Sequence, residues 1–199
     1  LWGRSPASWA SWTTLFTMVG FTPEGQVYAT VITQPLRLLT SAFLHAGFIH
    51  ILFNLWWIWD LGRAIEWRRG SLVTAALVAG SAIAAGALQW LFGGPGVGLS
   101  GVVYALAGFL FALRKDDPLA AAVMNPRTTR FLLIWLVIGV VLSETGTLPI
   151  GNWAHGGGGA WGVAAGLASR SRYRVLWLAV LGLATAGLLA WVMAGKVYW

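Results

Sequence analysis

Apolar residues gather in long runs separated by short polar stretches. Five strong runs cover about residues 46–61, 71–92, 131–143, 152–169 and 175–195. A helix needs roughly 20 apolar residues to cross a hydrocarbon core of about 30 Å. The run at 131–143 is short, but Thr128 and Thr129 before it can extend it. The pattern predicts an all-α bundle of membrane-spanning helices. A sixth run, Gly101 to Leu113, is only 13 residues long. At 1.5 Å per residue it makes about 20 Å of helix. If Arg114 and Lys115 mark one membrane surface, its other end stops about 10 Å short of the opposite one. The loop Gly93-Gly94-Pro95-Gly96-Val97-Gly98-Leu99-Ser100 then lies within the membrane's depth. Irregular backbone is tolerated there only where protein buries it or water reaches it. Ser100 therefore stands at the mouth of an expected wet cavity.

Composition agrees with the pattern. The chain has 199 residues, 58% hydrophobic and 10% charged, with a mean hydropathy of +0.72. Soluble domains carry about 25% charged residues. One domain is expected, read as an N-terminal segment 1–36 whose first helix is weak or truncated, a core 37–169, and an additional C-terminal transmembrane helix in 170–199. The first residue is Leu, which reads as a fragment, a processed form or a trimmed chain. There is no cysteine, hence no disulfide framework.

The net charge of +7 changes the picture only through its distribution. Threading the six segments alternately puts Arg63, Arg68, Arg69, Arg114, Lys115, Arg127, Arg130, Arg170, Arg172 and Arg174 on one side. Arg4, Arg37 and Lys196 fall on the other. Ten against three is a positive-inside bias, so these residues read as topology signals, and nucleic-acid binding is not expected. The glycine loop, the 144–151 loop and the C-terminus then face outward. Trp56, Trp57, Trp59, Trp67, Trp90, Trp153, Trp177 and Trp199 lie near segment ends, where interfacial aromatic belts form.

Polar residues inside apolar segments are costly and usually have a use. His50 and Asn54 are four apart and share a helix face. Taken alone, they read rather as hydrogen-bonding groups that hold helices together. His155 opens a segment in which Gly158, Gly162 and Gly166 recur every four residues, a flat stripe that admits close approach of another helix. The short segment offers its own small face through Gly101, Ala105 and Gly108. Pairing the two would bring His155 near Ser100. Tyr104, one turn after Ser100, could pack beneath the imidazole. No Asp or Glu lies mid-segment, so a Ser-His pair, rather than a Ser-His-Asp triad, is the nucleophile and base on offer. His50, Asn54 and backbone N–H groups around Ser100 are candidate donors to an oxyanion.

Together these residues resemble the rhomboid intramembrane serine proteases. The resemblance rests on His50-Ile51-Leu52-Phe53-Asn54, Gly98-Leu99-Ser100-Gly101, and Ala154-His155 followed by Gly158 and Gly162, with Glu66 to Ser71 similar to the family's second-to-third helix turn. It runs from about Arg37 to Ser169. It implies a six-helix core with a short recessed catalytic helix that hydrolyses peptide bonds of membrane-spanning proteins. Ser100 would be the nucleophile and His155 the base. His50, Asn54 and the backbone at Gly98 and Leu99 would fill the oxyanion role, with Tyr104 supporting the histidine. No cofactor or metal is implied, and the partners are transmembrane protein substrates and the lipid bilayer. The expected location is multi-pass, in a bacterial plasma (inner) membrane, with the site opening to the outer face. Leu36-Arg37 stands where the family has Trp-Arg. The alternatives are a catalytically silent relative that binds membrane helices, and a transporter or channel. The first would typically lack the Ser or the His. The second predicts an inverted repeat or paired broken helices, and neither is visible in the chain.

Overall fold

The computed structural model describes residues 17–21 and 27–195. Pro23, Glu24 and Gly25, the stretch 1–16, and Lys196 and Trp199 at the far end lie outside the described residues. So do the readings made on them.

A short antiparallel hairpin comes first, β1 (Val19–Phe21) with β2 (Val27–Ala29), Gly20 opposite Tyr28. The remaining elements among the described residues are helical: α1 (Arg37–Thr40) with a 3-10 turn at Ser41–Phe43, α2 (Phe48–Trp57), α3 (Arg63–Arg69), α4 (Ser71–Gly93), α5 (Ser100–Leu113), α6 (Pro118–Val123), α7 (Pro126–Glu144), α8 (Asn152–Arg170) and α9 (Arg174–Met193). Among the described residues α4, α7 and α9 are each long and apolar enough to cross a membrane, and α5 is a shorter apolar helix. The protein is an integral membrane helix bundle.

The helix ends follow from their local sequence. Asn125 accepts from the N–H groups of Arg127 and Thr128 at 2.9 and 3.1 Å, and Pro126 fills the first position of α7, where a missing N–H costs nothing. Asp117 and Pro118 start α6 in the same way. At the α3–α4 turn, Ser71 Oγ donates to Glu66 Oε1.

α5 is the centre of the bundle. Nearly all its residues are buried, in one cluster with Leu61 and Ile65 below it and Leu132 and Ala165 beside it. The α5–α8 pairing is closer than ordinary side chains allow. A Cβ added at Gly158 would run into the Gly101 carbonyl, one at Gly162 into the Ala105 carbonyl, and one at Gly108 into the Gly159 carbonyl. At Gly166 it would lie 2.7 Å from the Phe109 carbonyl. A second cluster joins Met18, Leu38, Trp90, Leu91 and Val192, packing the hairpin region, α1, the end of α4 and the end of α9 together.

Two features differ from the sequence reading, and a third is not foreseen by it. The run at 46–61 does not end at a loop. The helix continues through a π turn at Ile58–Gly62 into α3 and reaches Arg69. Leu61, Ala64 and Ile65 turn inward while Arg63, Arg68 and Arg69 are exposed, and long Arg stems let a helix end run through the polar interface. Trp90 is not at an interface but in the second cluster, 1% exposed. The segment before α2 is a short α1 that meets the α2–α3 helix at 105°, too short for a span of its own.

Candidate active site

Ser100 is the first residue of α5, preceded by the loop from Gly94. Gly98 has φ +105°, a conformation that glycine adopts readily and other residues rarely do. It also has no room for a side chain: a Cβ there would lie 2.7 Å from His50 Cε1, 2.9 Å from His50 Nε2 and 3.6 Å from Asn54 Nδ2. The backbone two residues ahead of Ser100 is thus walled by both polar side chains of α2. The Gly98 N–H donates to the Ser41 carbonyl at 3.3 Å, which fixes the loop against the 3-10 turn after α1. No side chain caps α5, and the first N–H groups of a helix have no intrahelical acceptor, so donors are gathered beside Ser100.

His155 sits in the first turn of α8 and is buried. Its Nε2 is 2.7 Å from Ser100 Oγ. With the serine O–H donating, the ring proton belongs on Nδ1, which has no hydrogen-bond partner. Among the described residues no carboxylate bonds to this imidazole. The Tyr104 ring lies against it, its centroid 4.8 Å away and its plane inclined by 31°. Tyr104 is itself fixed by its hydroxyl, which donates to the Leu132 carbonyl of α7 at 2.9 Å.

Asn54 is 2% exposed, and its Nδ2 is a buried donor without a partner. Such a group ordinarily costs about 1–3 kcal/mol of lost solvation. His50 stacks edge-on against His45 at 4.9 Å. Ser100, Gly98, Ser41 and Gln89 line a cavity of about 30 Å³, enough for a water molecule. Among the described residues no group of three or more His, Cys, Asp or Glu could hold a metal.

The structure therefore brings Ser100, His155 and Tyr104 together and sets His50 and Asn54 against Gly98, while the Leu99 side chain is buried in the core around α5. Two contributors were not singled out in the sequence. The Ser41 carbonyl leaves no trace there, because backbone acceptors are common to all residues. Gln89 does leave one: it is a lone amide in the apolar run 71–92, and it is buried.

The Rhomboid domain family model matches residues 33–172. Rhomboid protease GlpG of Klebsiella pneumoniae subsp. pneumoniae is 40% identical over 129 residues, 64% of this chain and 46% of that protein. Rhomboid protease GlpG of Enterobacter sp. is 40% identical over 133 residues, 66% of this chain and 46% of that protein. The chain thus spans less than half the length of the curated relatives it matches. The chain belongs to the rhomboid family.

Proposed function

We propose that this protein is an intramembrane serine endopeptidase that cleaves membrane-spanning proteins with a Ser100–His155 dyad. The observation that carries the reading is the 2.7 Å contact between Ser100 Oγ and His155 Nε2 at the recessed start of a short central helix. The names of the relatives support the same activity.

In this mechanism His155 takes the serine proton as Oγ attacks the scissile carbonyl, then passes it to the leaving amine. Asn54 Nδ2, His50 and the N–H groups at the start of α5 hold the developing oxyanion. Water then hydrolyses the acyl-enzyme. The cavity beside Ser100 favours a water supply at that depth. Tyr104 substitutes for the third triad member by holding the ring through stacking rather than through charge.

A substrate helix has to reach Ser100 from the lipid. The seam between α2 and α7 suits that route. Only 11% of the spanning window of α7 is buried, and the seam is filled by aromatic contacts, Phe53–Trp135 and Trp57–Phe131, each at 5.7 Å. The basic residues of the α3 end and of the α5–α6, α6–α7 and α8–α9 connections would lie in the cytoplasm of a bacterial cell, and the site would open outward.

The test is reaction of detergent-solubilised protein with a fluorophosphonate probe. Wild type should label and cleave a transmembrane peptide, and Ser100→Ala should do neither while keeping its thermal transition. Cleavage by Ser100→Ala would end the reading, and absence of both reactions in the folded wild type would favour a silent helix-binding relative.

A further inference from the structure

We infer that Gln89 is a positioning residue that ties the end of α4, where the loop leading to Ser100 departs, to the helix carrying His155, an inference that rests on the protease reading above. Gln89 lies one turn before the end of α4 and is 5% exposed. Its Nε2 donates to the Gly93 carbonyl at 3.0 Å, and its Oε1 accepts from the Ala154 N–H at 3.2 Å.

The second bond is unusual in what it satisfies. α8 begins after Gly151, with no side-chain cap, and its first intrahelical bond is from His155 N–H to the Gly151 carbonyl. The Ala154 N–H precedes that bond and has no acceptor of its own in the helix. Gln89 supplies, from another helix, the oxygen that a capping Ser or Asp would supply locally. The residue so held is the immediate neighbour of His155.

The same amide shapes the other half of the site. A Cβ at Gly96 would lie 2.8 Å from Gln89 Cγ, and one at Gly151 3.3 Å from Gln89 Oε1. The glycine loop that ends in Ser100 and the turn that opens α8 are therefore both moulded to one side chain. At this length Gln carries the donor and the acceptor together at any pH, whereas Glu does so only when protonated. An ionised Glu keeps the acceptor and loses the donor, and Leu loses both at similar volume. Reacting groups misplaced by about 1 Å can lose on the order of 10²-fold in rate, so a staple between the two halves of a dyad has a large lever.

The test compares the full chain in detergent as wild type, Gln89→Leu and Gln89→Glu. Three quantities are read: kcat and KM on a transmembrane peptide, the rate of fluorophosphonate labelling, and amide hydrogen exchange over residues 93–101 and 151–156. Gln89→Leu should lower kcat and labelling together, by between about tenfold and a hundredfold, with KM unchanged. It should also speed exchange in both segments. Read at a pH high enough to ionise the carboxyl, Gln89→Glu should restore protection over 151–156 but not over 93–101, and should recover part of the rate. A residue that merely lined the cavity would change turnover and leave exchange alone, so unchanged exchange in both segments overturns the staple. Should Gln89→Leu not fold, the Gln89→Glu exchange pattern decides alone: loss of protection over 151–156 overturns the proposal. The exchange readout needs no turnover, so an inactive wild type would sink the protease reading without touching this decision.

Discussion

Gly162 of α8 lies so close to the Ala105 carbonyl of α5 that no side chain fits between them. That contact, repeated at Gly158 and Gly166, sets the distance between the two helices and with it the distance from His155 to Ser100. In a membrane this is a principal way to bind helices tightly, because lipid offers no hydrophobic penalty to drive them together.

The pairing predicts opposite outcomes for two Gly→Ala substitutions. Gly162→Ala should separate α5 from α8, lower the thermal transition in detergent and remove fluorophosphonate labelling. Overpacking a close contact typically costs about 1–3 kcal/mol. At Gly187 in α9 an added methyl would meet nothing within 4 Å, so Gly187→Ala should be neutral or stabilising, by up to about 1 kcal/mol. Equal effects of the two would separate the site geometry from the glycine stripe.

Asn54 should act on the transition state and not on folding. Its Nδ2 has no partner to lose, so Asn54→Ala should leave the thermal transition nearly unchanged. Loss of one oxyanion donor costs about 10²- to 10³-fold in turnover, and kcat should fall on that scale. A large stability loss with near-normal kcat would instead assign Asn54 to helix packing.

At the opposite end of the bundle, Arg68 Nε donates to Asp117 Oδ2 at 2.9 Å, and Asp117 Oδ1 accepts from the Leu119 and Ala120 N–H groups at 3.0 and 3.4 Å. Burial pushes the Asp117 carboxyl up, but the Arg68 hydrogen bond, the two N–H groups and the Arg68 charge outweigh it and hold the group below its ordinary value. A depressed carboxyl contributes stability that is present above its unfolded pKa and is lost as pH falls through the folded one. The thermal transition of wild type should therefore fall below about pH 4 more steeply than that of Asp117→Asn, which lacks this contribution. Parallel profiles would mean the pair adds nothing to folding.

The depth of Ser100 is legible in the chain because the length of 101–113 can be compared with a fixed membrane thickness. The approach of His155 is legible because small residues at spacing four appear on both partner helices. What is not legible has a common cause. The extension of the 46–61 run to Arg69 is hidden because exposed Arg side chains end an apolar window without ending a helix. Trp90 lies at a segment end but faces the hairpin region and α9, parts of the chain about 70 and 100 residues away. Gln89 is visible as an oddity, but its partners are backbone groups, the carbonyl that ends its own helix and an N–H at the start of α8, and those carry no sequence signature.

Water access to Ser100 depends on which way the bundle is oriented, and thiol labelling reads that orientation directly. The chain has no cysteine, so single cysteines can be introduced without background. Val97 in the glycine loop is 44% exposed and Leu148 in the α7–α8 loop is 51% exposed. Val97→Cys and Leu148→Cys should react with an impermeant thiol reagent in right-side-out vesicles. Arg69→Cys and Ser171→Cys, among the basic residues, should react only after permeabilisation. Ser100→Cys should react from outside but slowly, because Ser100 is half-buried and is reached through a small cavity. The reverse pattern at positions 97 and 69 would mean the charge bias has been read with the wrong sign. Inertness of position 100 from both sides is the more serious outcome: no aqueous path would then reach the proposed nucleophile, acyl-enzyme hydrolysis would have no water, and the protease reading would lose its physical basis.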